Sequence, residues 1–244
     1  MAAAAFDNAR VVRSPDSADN PQAMTDDFQV PVAFDYIATF TWAISGAIVA
    51  IRRRLDITGV FIVAMLAALG GGLIRDAMFL NRTPVFLVNE AYLTLIVAAT
   101  LVTAGFARYL RNLIGQDTVQ KIVDYIDALG TPAFAVFGMQ LAEDAGFPII
   151  PIVFVGVTNG VAGGLLRDVV VREVPAIMRP GQYASITLMI ACGLYLLLTR
   201  QFGLLPTLAA WITVGAFFVA RVLTIRFNWQ TRSVWQDEAQ SGGL

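Results

Sequence analysis

No histidine occurs in the 244 residues, and cysteine occurs once, as Cys192. The first absence removes imidazole acid–base chemistry, Ser–His nucleophilic catalysis and a histidine-ligated haem. With a single thiol there is no intrachain disulfide and no Cys/His zinc set. Charge is scarce as well. Asp, Glu, Lys and Arg make up 14% of the chain and nearly cancel, to a net charge of −1, where a soluble chain carries about 25%. Hydrophobic residues reach 57%. So few charges cannot clothe a water-exposed surface, so the expected solvent is lipid. A transport or channel role is therefore expected rather than an enzyme, with no cofactor and no nucleic-acid partner.

A bilayer core takes about 20 apolar residues per helix. Seven such stretches run along the chain: Ala33–Ile51, Ile57–Leu80, Tyr92–Leu110, Val123–Leu141, Phe147–Val171, Tyr183–Leu198 and Leu204–Thr224. Pro206 sits where the seventh helix would begin. The loops are too short for a soluble domain, so residues 31–228 are expected to form one seven-helix membrane domain. Residues 1–30 hold five aspartates and two prolines without apolar periodicity, which predicts a disordered tail. Residues 229–244 form a C-terminal tail, and Arg226, Trp229, Arg232 and Trp235 suit an interfacial anchor. If the spans alternate, Arg52–Arg54, Arg108, Arg111, Lys121, Arg172, Arg179, Arg226 and Arg232 share one side. The positive-inside rule then places the N-terminus outside and the C-terminus in the cytoplasm.

The chain repeats itself. Gly70-Gly71-Gly72-Leu73-Ile74-Arg75-Asp76 returns 92 residues later as Ala162-Gly163-Gly164-Leu165-Leu166-Arg167-Asp168. Gly46 aligns with Gly138, Pro84 with Pro175 and Tyr92 with Tyr183, and Asp35-Tyr36-Ile37 matches Asp124-Tyr125-Ile126, with small shifts in offset. The expected fold is all-α: two three-helix repeats, 33–111 and 122–200, plus a seventh helix at 204–224. Three is odd, so the copies insert with opposite orientation. Inverted repeats of this kind characterise transport folds, with the pathway at the repeat interface.

Glycines in a membrane helix either free backbone carbonyls from the helical ladder or let another backbone approach closely. On the first view Gly70, Gly71, Gly72, Gly163 and Gly164 break their helices beside a conduit; on the second they pack helices. Ser45, Thr158 and Asn159 are candidate pathway oxygens, as are Thr39 and Thr41, although hydroxyls also bond to their own helix. Arg75, Asp76, Arg167 and Asp168 form intramembrane charge pairs, because an unpaired charge at mid-bilayer costs at least about 2.5–3.5 kcal/mol. Adjacent helical residues point about 100° apart. Pairing across the repeats, Arg75 with Asp168 and Arg167 with Asp76, is therefore expected; the alternative is that both arginines snorkel. Asp35 and Asp124 are read as helix-start residues, and Arg221 as snorkelling.

The paired GGGLIRD and AGGLLRD, each followed by a loop with Pro84 or Pro175 and then Tyr92 or Tyr183, resemble the prokaryotic branch of the trimeric intracellular cation (TRIC) channel family. The same bacterial domain is also labelled a glycine transporter. The resemblance covers roughly residues 33–225. It implies a homotrimer in membrane lipid, in a bacterial inner membrane, with a pore in each protomer that passes potassium and other monovalent cations. It also implies that the glycine-kinked second and fifth helices line that pore. Ala162 departs from a full second glycine triplet. The alternative function is secondary transport of glycine or another small amino acid.

Overall fold

The computed structural model describes residues 32–113, 116–178 and 184–227. The two expected tails, together with Arg179 and Tyr183, lie outside the described residues. Within the described residues there are seven long helices and no strand. They are α1 (Val32–Arg52), α2 (Ile57–Ile74), α3 (Ala91–Leu113), α4 (Gln116–Asp144), α5 (Ile149–Val170), α6 (Ala184–Leu196) and α7 (Pro206–Arg226). Two of them end in a wider, π-helical turn, Arg75–Phe79 after α2 and Leu197–Gln201 after α6. A single helical turn, Val85–Val88, leads into α3, and a 3-10 turn, Ala176–Met178, leads towards α6.

The ends of the helices follow from local chemistry. Asp56 caps α2 by accepting the Gly59 N–H at 2.8 Å. Pro148 immediately precedes α5 and Pro206 opens α7, in the first turn, where a missing N–H costs no helical bond. The helices α1 and α4 finish in the same way. Arg54 and Gly146 take left-handed backbone (φ 59° and 78°), and the next N–H reaches back five residues, Leu55 to Ala50 and Phe147 to Ala142. Asn81 and Arg172 (φ 47° and 58°) likewise take left-handed backbone beyond α2 and α5, which places these stops 91 residues apart rather than 92. The π-helical turn at Arg75–Phe79 accounts for the difference, since such a turn absorbs one extra residue. Arg82 N–H accordingly reaches back six residues to Asp76, where Glu173 N–H reaches back five to Asp168.

The packing follows the repeat only in part, since α7 rather than α6 is the main third neighbour of α4. The helix α1 lies against α2, α3 and α4; α4 lies against α5, α1 and α7; and α2 crosses α5. Small residues let the first pair come close. Ala43, Ala47, Ala64 and Ala67 are fully buried, and a Cβ on Gly46 would lie 2.8 Å from the Ala64 Cα. Among the described residues, five stretches are long and apolar enough to cross a membrane: Ile57–Phe79, Thr118–Asp144, Ile149–Val170, Ala184–Gln201 and Pro206–Arg226. The apolar part of α3, Ala91–Ala107, is shorter. The helix α1 is diluted by Asp35, Thr39 and Ser45, all buried against protein and not against lipid.

Candidate functional site

The repeated glycines sit where α2 crosses α5, and each has its own task. A Cβ on Gly71 would lie 2.3 Å from the Asn159 carbonyl oxygen, and one on Gly163 would lie 2.1 Å from that of Ala67. The two contacts are related by the same 92-residue offset, so the crossing is two-fold in its own residues. Gly70 faces Leu166, whose Cδ1 would be 2.5 Å from an added Cβ, whereas Gly72 meets only the Arg75 guanidinium at 3.6 Å. Gly164 makes room for the ring of Trp42. Helical hydrogen bonding runs through all five glycines, and the Gly71 carbonyl accepts the Arg75 N–H. The expected break in the ladder is therefore absent at the glycines. After α2 the irregularity comes one turn later, at Arg75–Phe79, while Gly71 and Gly163 serve backbone-to-backbone contact.

Both arginines of the motif are 2% exposed within the protein, so neither snorkels. Nor do they pair across the repeats. Arg75 Nε and Nη2 donate to the two oxygens of Asp76 at 2.7 and 3.0 Å, and Arg167 Nε donates to Asp168 at 2.8 Å. The 100° offset between neighbours separates Cβ atoms, but a side chain as long as arginine folds back over its own helix. Each aspartate also holds the loop that follows it. Val85 N–H donates to Asp76 at 3.2 Å and Ala176 N–H to Asp168 at 3.0 Å, in each case from the residue after the repeated proline. Each guanidinium lies over an aromatic ring, Arg75 at 5.1 Å from the Phe137 centroid and Arg167 at 5.5 Å from that of Trp42.

Beyond this shared plan the two ends differ. Arg167 Nη1 donates to both oxygens of Asp127, at 3.1 and 2.9 Å, and to Ser45, whose hydroxyl donates to Asp127 at 2.7 Å. The residue 92 positions before Asp127 is Asp35, which is buried and accepts from the Tyr92 hydroxyl instead. Arg82 joins Asp76 at 2.9 Å. Burial, set against the attraction of Asp76, lowers the Arg82 pKa from its ordinary value. Asn159 is buried, and its amide donates to the Phe134 carbonyl at 2.5 Å. Thr158 is only partly buried, and Thr41 bonds back to Ile37 and Ala38 of its own helix.

A small open cavity of about 60 Å³ lies at the Arg167 end, among Trp42, Asp124, Asp127, Gly164, Asp168 and Arg221. Arg221 is 6% exposed and lines this cavity, where it was expected to reach for the interface. The site thus joins Ser45, Gly164, Arg167 and Asp168, all expected from the sequence, to Asp127 and Trp42, which were not. The signal for Asp127 was the constant offset: 92 residues on from Asp35 is Asp127, not Asp124 of the matching tripeptide.

Buried charges, a duplicated three-helix plan and helices long enough to span define a multi-pass membrane protein. The family model described as Glycine transporter matches twice, over residues 32–108 and again, 92 residues later, over 124–200. The chain belongs to that family. It is 35% identical over 152 residues to the UPF0126 inner membrane protein YadS of Escherichia coli K12, covering 62% of this chain and 70% of that one. A UPF0126 membrane protein of Deinococcus radiodurans is 33% identical over 144 residues, 59% of this chain and 64% of its own, so the match spans just under two thirds of that relative. Among solved structures, the TRIC trimeric intracellular cation channel orthologue from Rhodobacter sphaeroides superposes with a TM-score of 0.72 at 29% identity, covering 80% of this chain and 97% of that one. A second, described under the structural basis for conductance through TRIC cation channels, gives 0.70 at 29% identity, covering 82% and 95%. The resemblance seen in the sequence is thus carried by the fold.

Proposed function

We propose that this chain is a potassium-permeable channel for monovalent cations, assembled as a homotrimer with one pore in each protomer. The observation that carries the reading is the similarity, over about four fifths of the chain, to structures described as TRIC cation channels. In this reading α1 and α3 span the membrane along with the five more apolar helices. The three-helix repeats (33–111 and 122–200) are inverted, the seventh helix stands outside the repeat, the N-terminus lies outside and the C-terminus lies in the cytoplasm. The arginine distribution supports that orientation, which makes the Arg167 cavity the cytoplasmic mouth. The pathway passes between the repeats beside Gly70–Gly72, Gly163 and Gly164, with Ser45, Thr158 and Asn159 as candidate oxygens. The glycines keep the two helices in register while the Arg–Asp pairs hold the loops at either mouth.

Transport of glycine or another small amino acid is the second reading, and the description of the family model favours it. The two differ in what moves and how fast. Purified protein in liposomes, loaded with potassium and assayed in parallel for potassium efflux and for uptake of labelled glycine, separates them. The channel reading predicts efflux that is linear in the gradient and no saturable glycine accumulation; saturable glycine uptake without efflux would support the transporter.

A further inference from the structure

We propose that Asp127 is the selectivity-determining carboxylate of the cavity at the Arg167 end, the group that a cation entering there meets. The inference rests on the channel reading above.

In both repeats the arginine and aspartate of the motif pair with each other, Arg75 with Asp76 and Arg167 with Asp168. Each doublet cancels its own charge. What differs is the third partner. At one end it is Arg82, which adds a positive charge to the Arg75–Asp76 doublet. At the other it is Asp127, which adds a negative one. The side chains of Arg167 and Asp168 are 2% and 5% exposed, whereas that of Asp127 is 18% exposed. All three line the cavity, and the surplus negative one is the most exposed of them. Ser45 and Arg167 fix its orientation through three hydrogen bonds and are themselves joined by a fourth, so the carboxylate is presented and not free to swing. The other charged groups facing the cavity are Asp124 on the same helix, Arg167 and Asp168 from α5 and Arg221 from α7. Acidic side chains around a narrow mouth favour cations over anions, and a unit charge in a partly buried site acts strongly over the few ångströms involved.

The test is the potassium-to-chloride permeability ratio, read as the reversal potential of the full-length protein in a bilayer under a potassium chloride gradient. Asp127→Asn lowers the ratio by about tenfold, and Asp127→Glu retains it. Arg167→Gln, which exposes more negative charge, raises it. The double substitution Asp127→Asn with Arg167→Gln brings it back towards the wild-type value. A merely structural role for Asp127 would make both single changes lower conductance without opposite shifts of the ratio. Should Asp127→Asn fail to assemble, the sign for Arg167→Gln decides: no change or a fall overturns the proposal. A ratio unchanged in Asp127→Asn, in a wild-type protein that does select cations, also overturns it. A wild-type protein without cation current overturns instead the channel reading beneath it.

Discussion

At the scale of single residues, the motif glycines are not interchangeable, and the contacts say which will tolerate a methyl group. Gly71 and Gly163 face backbone oxygens of the opposite helix, which cannot move aside as a side chain can. Gly193 on α6 has nothing within 4 Å of where a Cβ would stand. Gly71→Ala and Gly163→Ala must therefore push α2 and α5 apart, at a cost of about 1–3 kcal/mol each. Gly193→Ala gains up to about 1 kcal/mol from helix propensity. Thermal unfolding in mild detergent, followed by helical signal, should show two lowered midpoints and one unchanged or raised. Equal effects at all three positions would contradict the crossing described here.

At the scale of helices, the ends are as informative as the spans. Arg172 closes α5 in left-handed backbone, a conformation that costs an L-residue roughly 1–2 kcal/mol and glycine nothing. Arg172→Gly should raise the unfolding midpoint by the equivalent of about 1 kcal/mol, less the extra chain entropy that glycine loses. A lowered midpoint would mean that the side chain supplies more than the backbone strain removes. The helices themselves were legible from apolar length, and all seven expected stretches overlap a helix. The start of α4 at Gln116 rather than Val123 was not, because its first two turns are polar. Nor was the π-helical turn after α2: its trace in the sequence is a one-residue change of offset between Arg75/Arg167 and Pro84/Pro175, which by itself resembles a loop deletion. The charge pairing was misjudged because the 100° rule concerns Cβ directions and ignores the reach of an arginine. Trp42 and Phe137, the rings beneath the two guanidiniums, look in the sequence like ordinary core residues.

At the scale of the whole molecule, duplication gives one architecture two unlike ends. The helix crossing, the helix stops and the Arg–Asp doublets repeat; the partners Arg82 and Asp127 do not. In the proposed inverted arrangement, Arg53 beyond α1 and Glu143 at the end of α4 would face opposite sides of the membrane. A cysteine at either position, in a background lacking Cys192, should react with an impermeant thiol reagent from one side only, and the two from different sides. Reaction of both from the same side would contradict the inverted arrangement. The central claim is that this architecture conducts cations. Its most direct test is single-channel recording of the purified, full-length protein in a planar bilayer under a potassium chloride gradient. The account predicts discrete unitary currents that reverse close to the potassium equilibrium potential. A protein that is folded and correctly assembled yet gives no unitary current, or currents that reverse at the chloride potential, would contradict it.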